Sequence, residues 1–270
     1  MLGAMTAPPP VALGSLLFSL VDPRRGHERA YNRWYERDHF YAGALTGPGV
    51  LAGRRFVATR ALKALRIPDP LPSDGPLRDP SRGSYLVLYG IQSGEHERFS
   101  DWAVERVQAL HRAGRMFAER EQVHTAFFHA AGGVARDADG VPPALVLDHP
   151  YAGLVAAYLE AREGGSSAEL GRWLAESLWP AELAGSPIAQ CLHFSPLPLP
   201  EGAPRDTPVE ASRERLLALC FLEADPRDTW SRHFARLAED VADGGRGRLL
   251  YASPFVPTVP GTDRYSDELW

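Results

Sequence analysis

The amino-acid sequence contains two divergent copies of one pattern, and this internal repeat limits the folds available to the chain. When residues 14–56 are shifted by 139 positions without a gap, Gly14 falls on Gly153 and Arg33-Trp34 falls on Arg172-Trp173. A shift of 131 positions places residues 84–88 over 215–219. Because the two copies have the same order of apolar and polar segments, the sequence predicts two copies of one small fold packed together.

Each copy is predicted to contain the element order β-α-β-β-α-β. Short apolar runs rich in β-favouring residues predict the strands, and longer runs with helical spacing predict the helices. The predicted strands are Leu13–Val21, Val50–Thr59, Ser84–Gln92 and Val123–Ala130, then Tyr151–Ala161, Ile188–Phe194, Leu216–Glu223 and Arg248–Phe255. The predicted helices are His27–Ala42 and Glu95–Gly114, then Ser167–Trp179, which Pro180 should stop, and Asp228–Asp243.

This order predicts an α+β protein made of two ferredoxin-like repeats, 1–140 and 141–270, with Gly132–Pro143 as the boundary. The first repeat is predicted to hold the active site, and the second is a degenerate copy. A ferredoxin-like sheet carries both helices on one face and leaves the other face bare and apolar. We therefore expect the two antiparallel sheets to cover each other as an intramolecular α/β barrel.

Composition excludes several classes of protein. A formal net charge of −5 gives no basic surface for nucleic acid. No apolar run approaches the roughly 20 residues that cross a bilayer. Met1–Leu13 lacks the basic start of a signal peptide and is expected to be a disordered lead-in, so a cytoplasmic location follows.

Cys191 and Cys220 are expected to be free and buried. Pro68–Arg82 and Pro196–Pro208 are expected to be loops, and Pro257–Trp270 a tail that is loose or wraps onto a neighbour.

One region of the first copy resembles a known superfamily. It consists of Tyr31–Phe40 (YNRWYERDHF), the turn Gly47-Pro48-Gly49-Val50 and the strand residues Arg54-Arg55-Phe56. These segments resemble the dimeric α/β-barrel superfamily and, within it, the EthD-like proteins. The resemblance implies a ferredoxin-like barrel with a cavity between helix and sheet. It does not define one reaction, because the superfamily includes cyclases, isomerases, monooxygenases and haem enzymes.

His39 is the first candidate catalytic residue. Tyr31, Tyr35 and His39 are spaced by four residues and so form one stripe on a helix. An imidazole there can act as a general acid or base, whereas the structural alternative is a cation at the helix C-terminus. The shift of 139 places Leu178 under His39 and Ser177 under Asp38, which favours a role that only one copy needs.

The remaining candidates each have a structural alternative. Asp38 can orient a neighbouring group or be an exposed carboxylate. Arg54 and Arg55 point to opposite faces of a strand, so one can bind a substrate oxyanion unless both form surface salt bridges. The predicted substrate-binding residues also include aromatic side chains that core packing would explain as well: Trp34, Tyr85 and Tyr89.

These observations predict an enzyme that transfers protons without a cofactor, with His39 as the acid or base and Asp38 or Tyr35 assisting. The expected reactions are cyclisation, dehydration or isomerisation of a small hydrophobic, aromatic or polyketide-like carbonyl compound. Two alternatives stay open. One is a haem-dependent enzyme of the same superfamily, with His193 or His233 as possible axial ligands, and the other is a non-catalytic ligand-binding or scaffold protein. No metal-binding motif is present, and the chain is expected to act as a pseudo-dimeric monomer or a homodimer.

Overall fold

A computed structural model describes residues 11–198, 212 and 214–270, and in it eight antiparallel strands form a closed barrel. The strands are β1 (Leu13–Pro23), β2 (Val50–Val57), β3 (Tyr85–Gln92), β4 (Arg120–Ala135), β5 (Gly153–Ala161), β6 (Ile188–Leu197), β7 (Arg215–Leu222) and β8 (Gly247–Pro257). Most of the predicted lead-in Met1–Leu13 and most of the predicted loop Pro196–Pro208 lie outside the described residues.

The barrel consists of two sheets with the same topology. Around the barrel the strands follow the order β1-β3-β2-β8-β5-β7-β6-β4. Each half therefore has the ferredoxin-like order, β4-β1-β3-β2 in the first and β8-β5-β7-β6 in the second. The halves join at two seams, β4 with β6 and β2 with β8. The predicted fold class, two ferredoxin-like repeats in an intramolecular barrel, is confirmed.

The helices show the duplication in detail. They are α1 (Glu28–Trp34), α2 (Arg60–Lys63), α3 (His96–Arg112), α4 (Ser167–Trp173), α5 (Trp179–Leu183), α6 (Pro226–His233) and α7 (Leu237–Asp243), with a 3-10 turn at Pro143–Leu145. A π-helical turn, Tyr35–His39, continues α1, and another, Leu174–Leu178, continues α4. Both α4 and its π-helical turn lie 139 positions after their counterparts, as the sequence shift requires.

The hydrophobic core has two parts because each sheet has two faces. On β1, Phe18 and Leu20 point into the barrel, where Phe18 meets the rings of Phe128 and Tyr158 edge-on at 6.2 and 5.8 Å. On the outer face of the second sheet, fully buried Leu174 belongs to a separate core between sheet and helices. The interior core thus includes residues from both halves of the chain.

Several element boundaries differ from the sequence prediction. Pro180 does not stop the helical segment, because a proline is tolerated in the first turn of a helix and α5 begins there. The predicted helix Asp228–Asp243 is broken into α6 and α7. β4 continues past Ala130 through a β-bulge at Gly132 and Gly133, whose backbone φ angles are +104° and +157°.

A segment that was expected to be a surface loop and the C-terminal tail are both partly buried. In the predicted loop Pro68–Arg82, Leu77 is buried with the interior core. The tail packs onto the first half of its own chain, where Leu269 is fully buried. Cys191 and Cys220 are free and buried, as expected. Within the described ranges, no helix has the length and apolar character that a membrane span requires.

Candidate ligand site beneath the first helix

Helix α1 and its π-helical turn place one aromatic stripe against the outer face of the first sheet. Tyr31 and Tyr35 are almost completely buried because residues four apart share a helix face. Beneath them lie Tyr85 and Tyr89 of β3, whose side chains point to the helix side of the pleated sheet. The Tyr31 ring lies 5.7 Å from Tyr35 and 5.4 Å from Tyr85, so these side chains form one cluster.

Arg55 lies inside this tyrosine cluster. Its side chain is 4% exposed, and Cζ lies 4.5 Å from the Tyr35 ring and 4.9 Å from the Tyr85 ring. Nη1 donates to Asn32 Oδ1 at 2.9 Å and makes a long contact of 3.4 Å with Glu36 Oε1. Nη2 is buried without a hydrogen-bond partner. An unsatisfied buried donor costs about 1–3 kcal/mol, and more when it is charged.

The tyrosine hydroxyls supply further polar atoms. Tyr89 Oη donates to the carbonyl oxygen of Phe40 at 3.1 Å and lies 3.4 Å from Tyr35 Oη. The Tyr85 hydroxyl is close enough to Ser266 to interact with it, but neither hydroxyl completes a hydrogen bond of normal geometry. Burial raises the pKa of all three tyrosines, against an opposing effect of the Arg55 charge. The phenols therefore stay protonated near neutral pH and act as donors.

His39 lies at the edge of the same cluster. Its ring stacks on Trp34 at 4.5 Å and meets Tyr35 edge-on at 5.2 Å. A Cβ atom at Gly43 would lie 2.9 Å from the ring, so only glycine leaves room for it. Nδ1 is buried without a partner. Burial lowers the pKa of His39 to about 4, with Arg120 and Arg115 acting in the same direction and Asp38 opposing them.

His39 is thus a neutral base at neutral pH. The alternative of a cation at the helix C-terminus does not apply, because helical turns continue to Leu45.

The remaining predicted residues lie at the edge of the cluster or outside it. Trp34 is partly exposed and donates through Nε1 to the carbonyl oxygen of Arg115 at 2.8 Å. Asp38 forms an ion pair with Arg115 that lowers the pKa of its carboxyl group. Arg54 points to the other face of β2, where its guanidinium donates to the carbonyl oxygen of His149. The structure therefore places Arg55 among the aromatic residues of the cluster. Arg54 and Asp38 lie outside the cluster.

At the corresponding location of the second half, beneath α4, the side chains form an ordinary apolar core. Tyr31, Tyr35 and His39 correspond to three leucines, Leu170, Leu174 and Leu178, and Tyr85 corresponds to Leu216. The shift of 131 places Val87 over Ala218. Arg55 pairs with Val87 and His193 pairs with Ala218 in the two sheets, so His193 is the counterpart of Arg55. His193 Nε2 accepts a hydrogen bond from Trp179 Nε1 at 2.9 Å. The counterpart position therefore has a hydrogen-bonded polar group, whereas Arg55 keeps an unpartnered nitrogen.

The C-terminal segment 258–270, here called the strap, was not predicted to take part in the site. It crosses α1, where Asn32 Nδ2 donates to the carbonyl oxygen of Thr262 at 2.8 Å and Gly261 N donates to Glu36 Oε2 at 2.9 Å. Ion pairs join Arg29 with Asp267 and Arg33 with Asp263. These contacts span more than 200 residues of sequence, so no local pattern could have indicated them.

Two open pockets lie away from this cluster, and neither was predicted. One, of about 480 Å³, lies at a barrel mouth near His124, whose Nε2 is 2.7 Å from Tyr158 Oη. The other, of about 400 Å³, is lined by Lys63, Arg66 and Trp270, together with further charged side chains. His39 lines neither pocket.

No protein-family model matches the sequence, and no curated protein matches it either. Solved structures match over nearly the whole chain. An anthrone oxidase-like protein has 9% identity and a TM-score of 0.55, covering 94% of this chain and 98% of its own. A candidate chlorite dismutase has 11% identity and a TM-score of 0.50, covering 96% and 100%. A DypB variant from Rhodococcus jostii RHA1 in complex with heme has 11% identity and a TM-score of 0.51, covering 98% and 97%.

These similarities establish the fold, a barrel of two ferredoxin-like repeats. They do not single out the EthD-like proteins. They also contradict the expectation that the protein has no cofactor, because one of these structures is a heme complex. That expectation was wrong. It rested on the absence of a cofactor motif, but haem needs only one axial side chain, and a single side chain leaves no motif in the sequence.

Four of the nine histidines, His39, His124, His193 and His233, do not fit haem as they are packed. His193 uses its acceptor nitrogen for Trp179, and His124 faces Tyr158 inside the barrel. His233 places Nδ1 2.9 Å from Glu182 Oε2, so this nitrogen already has a partner. His39 has an unpartnered nitrogen, yet Trp34 and Gly43 enclose its ring. We therefore derive no reaction step through haem.

Proposed function

We propose that the cluster beneath α1 binds a small ligand with a carbonyl or carboxylate oxygen, and that Arg55 receives this oxygen. The observation that carries the proposal is the buried Nη2 of Arg55, which has no partner. Arg55 is paired through Nη1 with Glu36 at 3.4 Å, but the unsatisfied N–H groups on its buried Nη2 are costly unless a ligand accepts their hydrogen bonds. The tyrosine rings around it favour a flat, largely apolar ligand body.

In this proposal the chemistry is proton transfer next to the carbonyl group. Arg55 stabilises the negative charge that develops on the oxygen, and the protonated Tyr85 hydroxyl can donate a second hydrogen bond. His39 accepts the proton, since a pKa of about 4 keeps its imidazole neutral at pH 7. Isomerisation, dehydration and cyclisation all begin with such a step. The leucines at the corresponding positions of the second half support a site in the first half.

The test compares two neighbouring arginines on opposite faces of β2. Binding of hydroxylated aromatic ketones and aromatic carboxylates is measured by ligand-observed NMR for the wild type, Arg55→Met and Arg54→Met. Loss of a charge-assisted hydrogen bond corresponds to about 1.5–3 kcal/mol, so Arg55→Met should weaken binding by roughly 10- to 150-fold. The Arg54→Met control should bind as the wild type does. Equal binding by all three proteins would refute the proposal.

The heme-bound structure of the same fold is a specific reason to test haemin in parallel. Haemin is added to the wild type, His39→Ala and His193→Ala, and the Soret band is recorded. Our proposal expects no Soret shift that depends on either histidine. A shift that His39→Ala or His193→Ala abolishes would replace the proposal with a haem-dependent function.

A further inference from the structure

Lys63, the only lysine in the chain, lies almost completely buried at the end of α2. Its Nζ donates to the carbonyl oxygen of Ser81 at 2.7 Å and to Ser84 Oγ at 3.0 Å. It also lies 4.4 Å from the centre of the Trp270 ring. Within the described residues, no carboxylate lies within ion-pair distance of this ammonium group. A buried cation with only neutral partners keeps a strong positive potential around it.

The surrounding cleft, of about 400 Å³, adds three more cations: Arg25, Arg60 and Arg66. Arg66 is buried and donates to Ser253 Oγ at 2.9 Å and to backbone carbonyl oxygens, including that of Gly83 at 2.8 Å. These acceptors are also neutral, and no ion pair to any of the three arginines is found among the described residues.

The acidic groups nearby do not balance this charge. Asp69 is the one acidic side chain in the cleft wall, among the residues that the structure describes. Three further acids lie near the cleft without lining it, and each already has a partner. Asp22 is paired with Arg82 at 2.8 Å and accepts the backbone N–H groups of Gly83 and Ser84. Asp79 accepts the backbone N–H of Ser81 at 2.8 Å, and Glu28 accepts a hydrogen bond from Trp270 Nε1 at 2.7 Å. Four cations therefore face one lining acidic side chain in a protein whose formal net charge is −5. Clefts that concentrate one sign of charge attract ligands of the opposite sign.

We propose that this cleft is a second binding site, for a small organic oxyanion, and that Arg25, Arg60 and Lys63 hold the anionic group beside the Trp270 ring. Carboxylates and phosphates share the oxyanion chemistry that these cations recognise. The site is separate from the cluster beneath α1, so either proposal can fail without the other.

The chemistry of Lys63 gives the site a pH dependence. Burial lowers the pKa of Lys63 to about 8, with Arg66 and Arg25 acting in the same direction and Asp22 and Asp79 opposing them. Lys63 is therefore charged below about pH 8 and neutral above it. Because a neutral amine attracts an anion less, the affinity for an oxyanion should fall as the pH rises from 7 to 9.

The first experiment measures binding of inorganic phosphate and of benzoate by calorimetry at pH 7 and low salt. Arg60→Gln is expected to weaken binding of the preferred anion at least tenfold. Arg232→Gln, which removes the same charge from an exposed position on α6, is the matched control and should change binding less than twofold. Tighter binding of phosphate assigns the site to phosphate compounds, and tighter binding of benzoate assigns it to carboxylates. Absence of binding of both anions, or equal loss in the two variants, overturns the proposal.

A second measurement needs no variant, because Lys63 is the only lysine. Reductive methylation with formaldehyde and cyanoborohydride labels Lys63 and the chain's α-amino group, and peptide mapping separates the two. The preferred anion should slow labelling of Lys63 at least fivefold at pH 8 without slowing that of the α-amino group. Labelling of Lys63 that the anion leaves unchanged contradicts the proposal.

Discussion

At the scale of single residues, the buried histidines link stability to pH. His39 has a pKa of about 4, against an ordinary value of 6.5, and this difference corresponds to about 3 kcal/mol. Between these pH values the unfolded chain binds a proton that the folded protein does not bind. The stability that is full above pH 6.5 is therefore lost progressively as the pH falls to about 4.

Replacement of His39 by leucine, the residue at the corresponding position of the second half, should remove this loss. Between pH 7 and pH 4 the free energy of unfolding should decrease in both proteins. We expect the decrease to be about 2–3 kcal/mol smaller for His39→Leu than for the wild type. Urea denaturation at a series of pH values measures it, with the exposed His111→Leu as the control. An unchanged acid profile in His39→Leu would show that this imidazole does not titrate as inferred.

The same scale shows what the sequence could and could not predict. The alternation of a strand correctly separated Arg54 from Arg55, but it could not say which of them faces the helix. That depends on the pairing register with β3, where Arg55 lies opposite Val87. The simple shift of 139 also matched Phe194 to Arg55, whereas the strand pairing matches His193. A one-residue change of register around a β-bulge alters which side chain reaches a face without altering the apolar pattern.

At the scale of elements, the strap has one strong anchor and several weak ones. Its ion pairs with α1 are exposed, and such pairs contribute about 0–1 kcal/mol each. Leu269 is fully buried instead. The tail had been expected to stay loose or to wrap onto a neighbour because it is polar, but its end packs on its own chain through the buried Leu269.

Leu269→Ala should therefore release the strap without unfolding the barrel. A buried leucine cut to alanine costs about 2–5 kcal/mol, and here that cost should appear in local opening of the strap. Hydrogen exchange of the Arg60 amide, which donates to the carbonyl oxygen of Glu268 at 2.7 Å, reports this opening. We expect faster exchange there and unchanged exchange at Leu88 in β3, with the partly exposed Val259→Ala as the control. Acceleration at both amides would mean that the strap is part of the global fold.

Helix endings were harder to predict than helix positions. The predicted helix start at Ser167 agrees with the start of α4, since Ser166 caps it with a capping box that includes Glu169. The end was wrong because Pro180 was taken as a stop signal. A proline blocks a helix only where its missing N–H and its ring conflict with the preceding turn, and the π-helical turn before α5 lets a new helical segment begin at that point.

At the scale of the whole molecule, the two seams of the barrel are unequal. β4 and β6 are joined by seven residue pairs, and β2 and β8 by two. The duplicated pattern predicted that two apolar sheet faces would meet, because each would otherwise be exposed. It could not predict how the edges close, since this depends on the glycine bulge that extends β4.

The shared interior should nevertheless make the halves unfold together. Phe18 of the first half contacts Tyr158 of the second at 5.8 Å, so its side chain stabilises both sheets. Phe18→Ala should cost about 3–5 kcal/mol and lower the stability of both halves by the same amount. Denaturant-dependent hydrogen exchange of β3 and β7 amides measures the two halves separately, and the exposed Leu145→Ala gives the baseline. If β7 kept wild-type protection while β3 lost it, the halves would be independent domains. The barrel interior would then be only the surface at which they meet.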